Sequence, residues 1–458
     1  MIRNTRPPLS ATGIPPALRA AIVALLVCAV RATAQMPTAD LPAYGDLVYA
    51  EAAQVPGDSA RLCRLDVFVR ITHDYVVFHR AVEFPGDSSF AGVVELSYDV
   101  LDAENRMVAT ANKRKDVRVP NYAATESRDA TVLLRQTFRL PAGEYRVRLQ
   151  VSDGKSTRQR LIVLPARLRS LQPGALALGS ILPLADSALR PGADYHVFAY
   201  GASVPFARPS LLALSCAVEK QTQWRYCITR NDAARAGRVV AAAPVEALAM
   251  LDNSTVHGPN DGTLECVFGP GATIGRVALF RLPFDTLEAG AYRLVLYASA
   301  RVAGDSIATD SAVLECRVFW KEQPLSLRDP DFAVSVMRYI LTESELSDFS
   351  KGSDAEILDK LSAYWRGKDP TPGTVRNELM EEYFRRADQA YFAYRTLASE
   401  NGALTDRGKV YILFGAPENV QRTLKPGEAP EEVWRYPSLK RVFTFIDRER
   451  NGKYHLRS

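Results

Sequence analysis

Asp369, Arg386, Asp406, Arg407, Trp434 and His455 all fall in the C-terminal part of this 458-residue chain. Carboxylates, guanidinium groups and an indole are the residue types of a sugar-type or phosphate-type cleft, where acids move protons, arginines hold anions and rings stack. Linear spacing does not bring them together. The competing assignment gives Asp369 and Asp406 to turns and helix caps, Arg407 to a surface ion pair, Trp434 to the core and His455 to an exposed terminal strand.

Other chemistries fit less well. His73 and His79 stand six residues apart in what reads as strand. At about 3.3 Å per residue an unbroken strand separates them by roughly 20 Å, too far to share a metal ion. The sequence contains no Gly-x-Ser-x-Gly elbow and no His-Glu-x-x-His helix. Gly269-Pro270-Gly271 with Gly275 lacks the Lys-Ser or Lys-Thr of a phosphate loop and reads as a turn. No metal and no cofactor is expected.

The first 34 residues follow the order of a secretory signal peptide. Arg3, Arg6 and Arg19 come first, then the apolar run Ala20 to Val30, then Ala32-Thr33-Ala34 with cleavage expected before Gln35. Eleven apolar residues are too few to span a bilayer core, which needs about 20 helical residues. No later run approaches that length, so no transmembrane segment is expected after cleavage. Loss of Arg3, Arg6, Arg19 and Arg31 lowers the 57 basic residues to 53, against 52 acidic ones. The formal charge of +5 therefore gives no argument for nucleic-acid binding, which needs a clustered basic face.

Six cysteines less Cys28 leave Cys63, Cys216, Cys227, Cys266 and Cys316, an odd number for an oxidising compartment. Cys216 with Cys227, flanking a hairpin, and Cys266 with Cys316, which share a Leu-Glu-Cys context, are the candidate disulfides. The alternative leaves all of them as buried free thiols.

Residues 45–168 read as antiparallel strands. Leu65, Val67, Val69 and Ile71 alternate with polar neighbours, as do Val94, Leu96, Tyr98 and Val100, giving each strand one buried face. Leu140-Pro141-Ala142-Gly143-Glu144-Tyr145 resembles a tyrosine corner, in which a core Tyr bonds backbone a few residues upstream. Leu287-Glu288-Ala289-Gly290-Ala291-Tyr292 repeats it 147 residues later. The chain is thus expected to be multidomain and mainly β: two tandem immunoglobulin-like β-sandwiches, 45–168 and 176–322, with Tyr145 and Tyr292 in structural roles. The Ala-rich stretch 233–249 reads as a helix or a long loop.

From 324 onward the period becomes helical. Thr342 with Glu345 and Ser353 with Glu356 match the capping box. Ile357, Leu361 and Tyr364, with Trp365 beside them, stripe a helix over 353–366 that Pro370 and Pro372 terminate. A longer helix is expected over 373–400 on a face of Leu379, Tyr383, Ala387, Tyr391 and Tyr394. The run 410–414, apolar on both faces, reads as a covered strand. Strands are expected at 432–436 and 442–446, and Asn451-Gly452 as a hairpin turn. Residues 324–458 thus make an α+β domain.

Several ordered blocks in this domain resemble the bacterial GWxTD-domain proteins: Tyr364-Trp365-Arg366 with Asp369-Pro370-Thr371-Pro372-Gly373-Thr374, then Glu382-Tyr383-Phe384-Arg385-Arg386, Thr405-Asp406-Arg407-Gly408 with Tyr411-Ile412-Leu413-Phe414-Gly415, and Trp434-Arg435-Tyr436. The signature Gly-Trp-x-Thr-Asp reads Gly402-Ala403-Leu404-Thr405-Asp406 here, with Ala403 in the tryptophan's place. The resemblance implies an exported bacterial envelope protein, periplasmic or extracellular, and brings no reaction with it. Asp369, Arg386, Thr405, Asp406, Arg407 and Trp434 form the candidate interaction site, and a protein or glycan of the envelope the expected partner. The alternative is a hydrolase or lyase acting on an envelope polymer.

Overall fold

The computed structural model describes residues 47–457 apart from 82–87, 155–157, 191–193, 219–220, 233–236, 259–266, 272, 302–305 and 397–400, with the side chain of residue 355 also outside the description. The signal-like segment and Cys266 lie outside the described residues. The chain is mainly β, arranged in several antiparallel sheets, with helices concentrated near the C-terminus.

Period-two patterning builds the first sheets. Leu65, Val67, Val69 and Ile71 are fully buried on one face of strand Cys63–Thr72. That strand pairs with Val48–Val55 on one side and Thr131–Leu140 on the other. A second sheet centres on Phe90–Leu101, bordered by Met107–Val119 and Gly143–Ser152, with Gln159–Leu168 outside the latter. Val94, Tyr98, Val147 and Leu149 meet the first sheet in one apolar core. A single helical turn, α1 (Tyr122–Thr125), is capped by Asn121. His73 starts a short 3-10 turn and His79 a separate two-residue strand, so no unbroken strand joins them.

A second pair of sheets follows. Ala177–Pro183, Leu211–Ala217, Arg276–Arg281 and Ala249–Asp252 form one. Ser203–Pro205, Ile307–Phe319, Gly290–Arg301, Gln223–Arg230 and Val239–Val245 form the other. Leu212, Leu214, Ile228, Phe280, Leu294 and Leu296 fill the space between them. Within the described part of the Ala-rich stretch, Val239–Val245 is strand rather than helix or loop. Val239, Val240 and Val245 are β-branched, and the segment pairs along Gln223–Arg230. The tyrosines repeat one geometry: Tyr145 donates its hydroxyl proton to the carbonyl of Pro141 at 3.0 Å and Tyr292 to that of Glu288 at 2.9 Å.

Cys216 and Cys227 are free thiols, which corrects the expected pairing. The chain changes sheets between them. Cys216 is buried in the first sheet of this pair, while Cys227, in the second, alternates away from the inward Trp224 and Ile228. Cys316 is also free and fully buried in the same core as Cys216. Burial pushes the Cys216 thiol up to about 12 and Cys316 further in the same direction, so both behave as small apolar side chains.

A third apolar cluster joins the two pairs of sheets. Ala53, Val55, Phe68 and Leu133 from the outward face of the first sheet pack on Leu182, Leu211, Ala213, Val277 and Leu279. The sheet of Val48–Val55 is therefore covered on both faces, and its charged residues reach across. Arg64 and Arg135 donate to the carbonyl of Val256, and Arg70 to those of Phe198 and Ala199.

Among the described residues five helices follow: α2 (Pro330–Met337), α3 (Glu343–Phe349), α4 (Asp354–Arg366), α5 (Glu378–Ala393) and α6 (Asp406–Phe414). Both capping boxes form, Thr342 with Glu345 and Ser353 with Glu356. Ile357, Leu361 and Trp365 of α4 pack on Tyr383, Phe384, Ala387 and Ala390 of α5. Asn377 caps α5 at its start, so the helix is shorter than 373–400, and Leu379 is exposed rather than part of its apolar face. The run Val410–Phe414 belongs to α6 and is not a strand. Thr405 caps it, and the run is apolar all round because Ile412 faces the helical core while Val410 faces the sheet beyond. That sheet contains Asn419–Thr423, Glu431–Tyr436, Arg441–Ile446 and His455–Leu456 in sequence order. Among the described residues no helix is long and apolar enough to cross a membrane.

Candidate functional site

The start of α6 is built by close packing. A Cβ on Gly408 would lie 2.1 Å from the carbonyl oxygen of Gly402, and one on Gly402 would lie 2.4 Å from that of Ala390. Only glycine permits that approach of helix to turn. Thr405 closes the turn: its hydroxyl donates to the Gly402 carbonyl at 2.7 Å and accepts from the Gly408 amide at 3.1 Å. Ala403 is fully buried among α5 and α6, and its carbonyl accepts from the Tyr339 hydroxyl at 2.9 Å. Burial pushes the Tyr339 phenol up to about 12, so it stays a donor.

The next two residues reach the end of the chain. Asp406 Oδ2 accepts the Leu456 amide at 2.8 Å, with His455 Nδ1 3.6 Å from the same oxygen. Arg407 donates to the Gly452 carbonyl at 3.3 Å and lies over the rings of Tyr454 at 4.3 Å and Tyr394 at 5.3 Å. Its Nη1 is 3.5 Å from Glu432 Oε2. Glu432, itself nearly inaccessible, also accepts from Trp434 Nε1 at 2.6 Å and from Arg422 at 3.1 Å. The buried carboxylate thus has an indole donor and two guanidinium groups, which compensate its removal from water. Asp447 completes the hairpin by accepting the amides of Asn451 and Gly452 at 3.2 and 2.8 Å.

Arg407 and Trp434 therefore converge on Glu432, while Thr405 and Asp406 hold the adjoining turn and strand. Arg386 lies apart, bonded to Glu382 at 2.6 Å and resting on Gly415. Asp369 is elsewhere, accepting the Thr371 amide at 2.8 Å in its own turn. Sequence reasoning passed over Glu432, Tyr394, Tyr454 and Asp447. Glu432 carried a readable signal, since it shares the inward face of its strand with Trp434 and Tyr436.

Residues 306–457 match the family described as the GWxTD domain. The chain is a GWxTD-domain-containing protein. The matched region includes strand Ile307–Phe319 of the preceding sheet as well as the helices and the final meander. No curated protein matches the sequence. Among solved structures the chain is 16% identical to a Bacteroides fragilis protein assigned provisionally as a beta-galactosidase, over 35% of this chain and 19% of that one, at a TM-score of 0.17. It is 8% identical to the C-terminal domain of the Streptococcus agalactiae AgI/II polypeptide BspA, over 58% and 99%, at 0.15. It is 14% identical to a Salmonella alpha-2-macroglobulin mutant, over 62% and 16%, at 0.15. The chain thus spans about a fifth of the first of these, and likenesses this distant carry no argument.

In the GWxTD domain the signature residues are occupied by structure. Gly402 allows close packing, Thr405 caps, and Asp406 and Arg407 clamp the terminal hairpin. Cavities of about 560 Å³ beside Asp252 and Asn253 and about 460 Å³ beside Phe90 and Tyr122 lie away from these residues. Among the described residues no three His, Cys, Asp or Glu side chains gather where a metal ion could be held.

Proposed function

We propose that this is an exported, non-enzymatic envelope protein whose GWxTD domain binds a protein or glycan partner. The observation carrying this reading is the engagement of the signature's Thr405 and Asp406 together with Arg407, Glu432 and Trp434, which are held by one another and by the backbone of 402–408 and 452–456. A general acid or base must reach its substrate. The signal-like order of residues 1–34 supports export to the periplasm or beyond. The repeated tyrosine geometry supports an immunoglobulin-like reading of 45–168 and 176–322, two sandwiches carrying the domain 324–458.

An acid–base pair does exist in Asp406 and His455, each about half exposed, which is the feature favouring a hydrolase or lyase. Crosslinking and affinity capture from native envelopes separates the readings. The full chain should retain a saturable protein or glycan ligand unchanged, and Asp406→Ala should weaken retention by loosening the hairpin. A ligand that is cleaved, with cleavage abolished by Asp406→Ala while Leu456 stays ordered, would establish the enzyme instead.

A further inference from the structure

A buried carboxyl sits in the joint between the two pairs of sheets. Glu51, 6% exposed, lies on the outward face of strand Val48–Val55, the face that carries Ala53 and Val55 into the third core. Its Oε2 accepts the amide of Ala202, from the segment leading into strand Ser203–Pro205 of the next sheets. Its Oε1 is buried and has no hydrogen-bond partner.

Among the described residues no cation forms an ion pair with Glu51, and Arg70 acts on it only through space. Tyr49 shares its strand face, and Arg64, Asp66, Arg70 and Arg135 occupy the same face of the two neighbouring strands. Arg64 and Asp66 pair with each other, and Arg135 donates to the Val256 carbonyl. Arg70 turns to the carbonyls of Phe198 and Ala199 and to Thr131, with its guanidinium 4.4 Å from the Tyr200 ring centroid. Tyr200 and Phe319 are both in ring contact with Tyr49, and Arg317 is the strand neighbour of Ser203. A charge held here without a partner disfavours closure, whereas a neutral carboxylic acid does not.

We propose that this joint is proton-gated at Glu51: protonation of the carboxyl seats segment 198–203 on strand Val48–Val55, and deprotonation loosens it. Burial raises the Glu51 carboxyl from 4.5 to about 7, with the Ala202 amide and Arg70 opposing. An acid with a raised folded value gives closure that is complete below the unfolded value and lost as pH rises. The window runs from 4.5 to about 7. Each pH unit across it weakens closure about tenfold, and above it the effect levels off.

Hydrogen exchange of the full chain, corrected for intrinsic rates, tests this at the Ala202 amide. In the wild type, protection should fall about tenfold per pH unit across the window. In Glu51→Gln, which keeps the shape and removes the titration, it should stay flat and high. Equal slopes in both proteins would overturn the proposal. If the variant fails to fold, the wild-type profile decides alone, because protection that does not change across the window also overturns it.

Discussion

At Asp406 and Arg407 the side chains best suited to chemistry face the protein's own backbone. Arg407 is 12% exposed and Glu432 3%. Arg407→Ala would leave that carboxylate with only Arg422 and the Trp434 indole. Removing one partner of a buried pair costs about 3–5 kcal/mol, and the remaining arginine places the loss near the lower end. Asp369→Ala, which removes only a turn contact, should change stability by no more than about 0.5 kcal/mol. Urea unfolding of both variants checks the contrast, and equal losses would refute the assignment. The residue types were legible in the sequence, but the cap, read at Asp406, falls one residue earlier at Thr405. Convergence was not legible. Arg407 meets Tyr454 and Gly452 only after a four-stranded meander folds back, and nothing local encodes that return.

Among the elements, α4 could be read from its capping box and apolar spacing, and the strand pairs 432–436 and 442–446 from alternation. Helix α6 could not be read from periodicity, because a short run buried on all sides looks alike in strand and helix. The deciding signals were Thr405 at its start and Gly415, with φ of 80°, at its end. Its seat is tight enough to predict two outcomes. Gly408→Ala places a methyl 2.1 Å from the Gly402 oxygen, so the helix must shift. Restoring the family residue by Ala403→Trp puts an indole into a fully buried site. Overpacking of this kind costs about 1–3 kcal/mol or more, so thermal unfolding should show both variants less stable. A stable Ala403→Trp would show that the core keeps room for the lost ring.

For the whole molecule, the mainly β character was visible in two alternating stretches and two tyrosine devices, but the seam between the two pairs of sheets was not. Val48–Val55 is buried on both faces, and Arg64, Arg70 and Arg135 reach into the following sheets. Side chains that alternation marks as solvent-facing are in fact interfacial. The two pairs of sheets should therefore unfold together, and calorimetry of the full chain should show no separate transition for residues 47–168. The GWxTD domain continues from strand Ile307–Phe319 of the second pair of sheets. Whether its signature is a clamp or a reaction centre is tested most directly by hydrogen exchange at the Leu456 amide in Asp406→Ala. Loss of one hydrogen bond of about 1 kcal/mol predicts protection lowered about fivefold, with the rest of the domain unchanged. Unchanged protection at Leu456 would contradict the clamp.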